Sequence, residues 1–347
     1  MIDIDYRYRD ALREVRFIDL FAGIGGFRLA MESFGAKCVF SSEIDEYAKK
    51  TYYENFGDMP RGDITKIKEE EIPEHEVLCA GFPCQPFSIS GKQKGFEDAR
   101  GTLFFDIARI VNYRKPPVIF LENVSNLKRH DNGRTLDTII KILEEMDYSV
   151  FYDVLNASDF GVPQSRKRIY ILGFRRDLYP DIKFKFPSGI KKNVCVKDVL
   201  LKNDEVQDYI IKREDINIKE EFLSQLTVFL PICNKPLRIG TINKGGQGER
   251  IYSIYGHAIT LSAEGGGVAS KTGAYLVDGV VRKLAPRECA RLMGFPDSFK
   301  IVVLDNQAWK QFGNSVVVDV LQHIIISMIE HGVFRFFSKK EERAVNE

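Results

Sequence analysis

From residue 16 to about residue 175, short apolar runs alternate with longer segments of helical period, and that rhythm admits few folds. The strand-like runs are 16–21, 37–41, 76–80, 117–122, 149–155 and 168–174, and helix-period segments such as 105–113 and 136–146 lie between them. Strands separated by helices imply βαβ units, hence an α/β domain built on a mostly parallel sheet. Ligands of such sheets bind outside the carboxyl ends of the strands, so the residues just after each run are the ones to inspect.

The first run leads into Phe21-Ala22-Gly23-Ile24-Gly25-Gly26-Phe27. A glycine-rich turn from strand to helix lets a ligand approach the main chain closely. Arg28 stands where a dinucleotide fingerprint would carry its third glycine, which argues against a nicotinamide cofactor and for another adenosine compound. A tight turn without a ligand fits the glycines equally well. Two carboxylates shift the balance. Glu43 follows the second strand, where it could accept from ribose hydroxyls, and Asp63 in Gly62-Asp63-Ile64-Thr65 could accept from an adenine amino group.

The third run ends in Gly81-Phe82-Pro83-Cys84-Gln85-Pro86-Phe87-Ser88. Cys84 is open to two readings, a buried core thiol or a nucleophile displayed at a strand end. Net charge is only +1, so any nucleic-acid surface must be local. One such block is 164–192, with nine Lys/Arg against two Asp/Glu. The six cysteines form no CxxC pair and the five histidines are scattered, so no metal site is expected. Reduced thiols suit a cytoplasmic protein. No apolar stretch is read as a membrane span, and the charged start Met1-Ile2-Asp3-Ile4-Asp5 is not a signal peptide.

Six segments stand in one order: 21–27, 81–88, Glu122-Asn123-Val124, Gln164-Ser165-Arg166-Lys167-Arg168, Arg287-Glu288-Cys289-Ala290-Arg291-Leu292-Met293-Gly294-Phe295-Pro296, and Gln311-Phe312-Gly313-Asn314-Ser315. Together they resemble the DNA (cytosine-5)-methyltransferase family in its compact bacterial restriction–modification form, over residues 15–329. The resemblance implies a Rossmann-like S-adenosylmethionine-dependent methyltransferase sheet with a second, smaller, β-rich and irregular target-recognition domain. It also implies covalent catalysis. Cys84 thiolate would attack C6 of a cytosine flipped out of the duplex, and Glu122, protonated or sharing a proton with N3, would relieve charge as aromaticity is lost. An acid of that kind needs a raised pKa, which burial after an apolar strand could supply. Arg166 and Arg168 would sit near the flipped base.

By the same resemblance, Phe21, Gly23, Gly25, Gly26, Glu43, Ile44, Asp63, Ile64, Pro83, Leu103, Asn314 and Val316 would bind S-adenosylmethionine, with S-adenosylhomocysteine as product and no metal. Ile44 stands where the most similar bacterial pattern has an aromatic residue, so it can pack on adenine without stacking. Residues 88–96 would form a closing lid. DNA contacts would come from Gln85, Ser88, Ser90, Lys92, Gln164, Gln247, Arg250 and Thr260. Lys244-Gly245-Gly246-Gln247-Gly248-Glu249-Arg250 combines glycines with the two side chains best shaped to read purine edges, and 262–267 is a second reading loop. His257 and Glu264 depart from the bacterial pattern.

The expected organisation is a discontinuous catalytic domain (1–190 and 305–347), a recognition domain (191–285) and a connector (286–304). Residues 307–329 are expected to hold a loop and one long helix. The expected partner is double-stranded DNA with a short GCGC-like palindrome, the chain acting as a monomer beside a cognate endonuclease. Two rivals keep the same scaffold, an RNA cytosine-5 methyltransferase and a catalytically silent DNA-binding relative.

Overall fold

All six runs form strands, and they join one sheet. The computed structural model describes residues 2, 4–83, 103–190, 192–223 and 233–337. The strands are β1 (Arg16–Leu20), β2 (Lys37–Ser42), β3 (Val77–Gly81), β4 (Val118–Val124), β5 (Tyr148–Asn156) and β6 (Lys167–Arg175), in the order β2-β1-β3-β4-β6-β5. Pairings β1–β2, β1–β3 and β3–β4 are parallel, while β4–β6 is antiparallel. The central strands are continuous apolar runs because parallel strands are covered on both faces. Leu78, Ala80, Ile119, Leu121, Ile169 and Ile171 are fully buried in a single core.

Helices α1 (Gly26–Glu32), α2 (Glu46–Phe56), α3 (Leu103–Arg114) and α4 (Arg134–Glu145) belong with this sheet. In α4, Leu136, Ile139, Ile142 and Leu143 recur at helical spacing and are all buried. Each such side chain contributes roughly 1.5–3 kcal/mol on burial. Asp45 caps α2 by accepting from the amides of Tyr47 and Ala48 at 3.0 and 3.1 Å, and Gly57 ends it in the left-handed region.

Two compact units share the chain. The first holds Ile2–Leu155, Lys167–Ser188 and the residues from Val320; the second holds Asn156–Arg166 and Gly189–Asp319. The second unit has its own sheet of β7 (Ile216–Ile218), β8 (Arg238–Ile242), β9 (Arg250–Ser253), β10 (Ala274–Val277) and β11 (Val280–Lys283), in the order β11-β10-β9-β8-β7. Its core is a smaller cluster around Ile239, Ile242, Ile251 and Val281. Asp278 and Gly279, both at positive φ, turn β10 into β11 as a two-residue hairpin. The short helix α5 (Glu220–Leu223) follows β7, and α6 (Pro286–Leu292), α7 (Asp305–Asn314) and α8 (Val318–Glu330) follow the sheet.

The boundary expected at residues 190 and 305 is therefore displaced: 156–166 and α7 pack with the second unit. Trp309 Nε1 donates to Leu284 O at 3.0 Å. A Cβ on Gly313 would stand 2.4 Å from Ala263 N, so α7 rests directly on main chain there. The expected loop before the long helix is itself helix α7, whose buried face carries Ala308, Trp309 and Phe312. One further expectation fails on length and composition. The stretch Asp305–Glu330 is long and apolar enough to cross a bilayer, yet 78% of its most apolar part is buried inside the protein. It is core.

Candidate active site

Parallel pairing brings the carboxyl ends of four strands to one edge of the first unit's sheet. Leu20 pairs with Ser42 and with Ala80, and Gly81 pairs with Glu122. β6 runs the other way, so its first residues reach that same edge, with Arg168 opposite Val124. The glycine turn, Glu43, Pro83, Glu122 and Arg168 are thereby collected by register alone.

The turn after β1 holds Phe21, Gly23 and Gly25 at φ of 54°, 55° and 86° before α1 begins. A Cβ at Gly23 would meet nothing within 4 Å, so the main chain there is open to a ligand. At Gly25 the added carbon would lie 2.3 Å from the Phe56 ring, which explains that glycine by packing. Glu43 ties two strand ends together: Oε2 accepts from Gly23 N at 2.8 Å and Oε1 from Asp45 N at 2.8 Å. A carboxylate has further lone pairs on both oxygens, so these bonds leave capacity for ribose hydroxyls. Ile44 is 68% exposed beside it. Asp63 caps the short turn Ile64–Lys66, accepting from Thr65 Oγ1 at 2.8 Å and Thr65 N at 3.1 Å. The Thr65 hydroxyl holds its carboxyl below the usual carboxylate range, with Lys66 assisting. Ile64 is buried, and Leu103 opens α3 half-buried.

Arg28, the residue that spoiled the dinucleotide pattern, is buried behind the turn. Its guanidinium donates to Glu32 at 2.7 Å, Asp58 at 2.6 Å and Tyr52 OH at 3.3 Å, and lies 4.6 Å from the Phe56 ring centroid. Burial works against the charge, but Tyr52, Asp58 and Glu32 outweigh it and raise the pKa above the ordinary arginine value. An arginine here braces α1 against α2 where a glycine would only have allowed close packing.

Glu122 and Arg168 meet on one face of the β4–β6 ladder. Arg168 Nε lies 3.1 Å from Glu122 Oε1, with the two side chains 15% and 9% exposed. Both charges are largely desolvated, so removing one partner would leave the other at a cost of about 3–5 kcal/mol. The neighbouring Asn123, 2% exposed, donates from Nδ2 to Phe82 O at 2.8 Å and accepts from Val124 N at 2.8 Å. That amide fixes the main chain entering Pro83, one residue before Cys84. Its burial in an apolar strand was the available sequence signal for this role. Cys84, Gln85, Ser88, Ser90, Lys92 and the expected lid lie outside the described residues; Pro83 is exposed.

In the second unit the expected residues divide into exposed and buried sets. Gln247, Arg250 and Thr260 are exposed. Glu249 shapes their loop by accepting from Asn243 Nδ2 and Gly246 N, both at 3.0 Å. A Cβ at Gly248 would fall 2.3 Å from Gly266 O, so the 244–250 and 262–267 loops touch glycine to glycine. They form one body. Asn314 is exposed at the end of α7 and Val316 is buried just beyond it.

Two expectations are corrected here. Gln164, taken as a DNA contact, has no exposure. Its Nε2 donates to Leu292 O at 2.8 Å and its Oε1 accepts from Leu261 N at 3.1 Å, so the amide is consumed in bridging segments of the second unit. Arg166, placed with Arg168 beside the base, is 2% exposed. It donates to Leu261 O at 2.9 Å, Gly313 O at 2.9 Å and Ser315 O at 2.7 Å. Three carbonyls claim that guanidinium, so it anchors loops, while Arg168 pairs with Glu122. Among the described residues no cluster of three His, Cys, Asp or Glu side chains could hold a metal.

These strand-end features agree with what the chain resembles. The profile of the C-5 cytosine-specific DNA methylase family matches residues 15–330. The Type II methyltransferase M.HhaI of Haemophilus parahaemolyticus is 58% identical over 313 residues, covering 90% of this chain and 94% of that protein. The Type II methyltransferase M.HpaII of Haemophilus parainfluenzae is 46% identical over 316 residues, covering 88% and 87% respectively. Among solved structures, the S. pombe Dnmt2 methyltransferase has a similar fold, with a TM-score of 0.69 at 20% identity over 92% of this chain and 99% of that one. The sheet, its strand-end residues and the near-complete match lead to one assignment: the chain belongs to the C-5 cytosine-specific DNA methylase family and is a DNA (cytosine-5)-methyltransferase.

Proposed function

We propose that this protein transfers a methyl group from S-adenosylmethionine to C5 of a cytosine flipped out of a short palindromic duplex site, GCGC-like, through a covalent Cys84–C6 adduct. The observation that carries it is the Glu122–Arg168 pair at the strand edge, beside the Asn123-fixed approach to Cys84. The cofactor residues fit the compound: the Gly23 main chain is open, Glu43 keeps acceptor capacity, and Asp63 is a carboxylate held in place. When bound, S-adenosylmethionine supplies an electrophilic methyl group.

The chain's own residues do the rest. Cys84 sulfur bonds to C6, and Glu122, oriented by Arg168, relieves the charge that appears at N3. The C5–C6 electrons then make C5 nucleophilic. After methylation a base removes the C5 proton, the C5–C6 double bond re-forms, and the S–C6 bond breaks to release Cys84 and 5-methylcytosine. Gln247, Arg250 and Thr260 would read or position the duplex. Two relatives are named Type II methyltransferases, and on this reading the protein would act as a monomer in the cytoplasm and protect host DNA from a cognate endonuclease.

Bisulfite sequencing of both strands tests this, after incubating unmethylated plasmid with the purified chain and S-adenosylmethionine. The expected result is cytosine-5 methylation confined to one short palindrome. Methylation of tRNA but not plasmid, or of neither, would overturn it.

A further inference from the structure

Arg109 lies outside the six segments on which the family resemblance was read. It lies mid-helix in α3, six residues after Leu103, with its side chain 12% exposed. Two other segments and an acid of its own helix meet at its guanidinium. Nη2 donates to Ile64 O at 2.6 Å, Nε contacts Asp106 Oδ1 at 2.9 Å, and Nη1 lies 3.1 Å from Glu69 Oε1. Ile64 is 3% exposed and directly follows Asp63, so the carbonyl that Arg109 grips is the one beside the adenine-reading carboxylate. Burial pushes the Asp106 carboxyl up, Arg109 pulls it back down, and the nearby charges of Asp63 and Glu69 add to the push.

We propose that Arg109 is a positioning residue for adenine recognition: it clamps the Asp63–Ile64 turn to helix α3, setting Asp63 and Leu103 at a fixed spacing on either side of the base. This rests on the cofactor reading above. A guanidinium suits the task because its rigid fork serves three acceptors at once, including one main-chain carbonyl that carries no choice of rotamer. It also neutralises two of the three carboxylates crowded there. Without it, Asp63 keeps its own Thr65 bonds but loses the frame that holds the turn against α3.

The test measures equilibrium binding of S-adenosylhomocysteine and of its S-inosyl analogue, whose purine carries a carbonyl in place of the 6-amino group, to the full chain. The parent should prefer the adenosyl compound by about tenfold or more, the scale of one hydrogen bond to a charged acceptor. In Arg109→Met that preference should fall several-fold towards unity. KM for S-adenosylmethionine should rise by a similar factor, while kcat at saturation stays within about twofold, because Arg109 touches no reacting atom. Equal weakening of both compounds, or an unchanged preference, would overturn the proposal. Should Arg109→Met lose its cooperative melt, Arg109→Lys decides. Lysine keeps the charge and three donors but gathers them on one nitrogen, which cannot reach acceptors spread around a planar fork, so discrimination should still drop, and parental discrimination would overturn the clamp. A parent that binds neither compound would instead sink the cofactor reading itself.

Discussion

Asp19 shows how a single residue can be constrained by burial more than by partners. It sits in β1 at 1% exposure, and its Oδ2 has no hydrogen-bond partner. Desolvation pushes its carboxyl well above the ordinary value of 3.8, against the pull of Arg28. The folded state therefore holds a proton that the unfolded state gives up near pH 3.8. This group's stabilising contribution is complete below that pH and is lost as pH rises towards the folded value. Asp19→Asn mimics the protonated acid and should melt at a higher temperature than the parent at pH 8, with the gap narrowing towards pH 5. Thermal melts across that range check it, and a pH-independent gap would mean that Asp19 is ionised in the fold. At this scale the sequence was legible in placing Glu43 and Glu122 at strand ends. The burial of Gln164 and Arg166 was not legible, because a polar residue bonded to buried carbonyls has the same letter as one facing solvent.

Elements tell a similar story with a different cause. The first unit's strands were readable to within a residue or two; burial on both faces makes the central ones continuous apolar runs, while the edge strands β2 and β5 keep enough apolar residues to be recognised. Helix α7 was not. Its exposed positions are polar and Gly313-Asn314 ends it, so it read as a loop until Ala308, Trp309 and Phe312 were seen packed. The β10–β11 hairpin was overlooked although Val277-Asp278-Gly279-Val280 spells it. The contact between the two reading loops could not have been found from sequence, since glycines record only the absence of a side chain. That contact makes a prediction. Gly248→Ala would drive its Cβ into Gly266 O and Ser270 Cα, at 2.3 and 2.9 Å. It should lower stability by about 1–3 kcal/mol and reduce discrimination between cognate and single-mismatch sites more than it weakens DNA binding. Methylation rates on matched oligonucleotide pairs measure the ratio; an unchanged ratio would separate the loops from site choice.

For the molecule as a whole, the two units have separate cores of unequal size. The smaller one depends on residues far from its own sheet: Arg166 binds Leu261, Gly313 and Ser315, and Gln164 binds Leu292. A fragment of residues 191–285, the domain that composition suggested, lacks 156–166, α6 and α7. The Leu261 and Leu284 carbonyls would lose Arg166 and Trp309, and the buried Arg282 would lose Glu288, so this fragment should show no cooperative melt by circular dichroism. A cooperative transition would mean that the sheet is self-sufficient.

The β4–β6 register has one further effect. Glu122 lies opposite Tyr170 and Arg168 opposite Val124, so the acid and its orienting cation are diagonal neighbours on a shared face. Slipping either strand by one residue would send the two side chains to opposite faces while leaving much of the ladder intact. Antiparallel alignment thus works as a checksum on assembly: on the proposed role of Glu122, a chain misfolded by one step would be compact and still inert, and only the correctly threaded sheet would alter DNA.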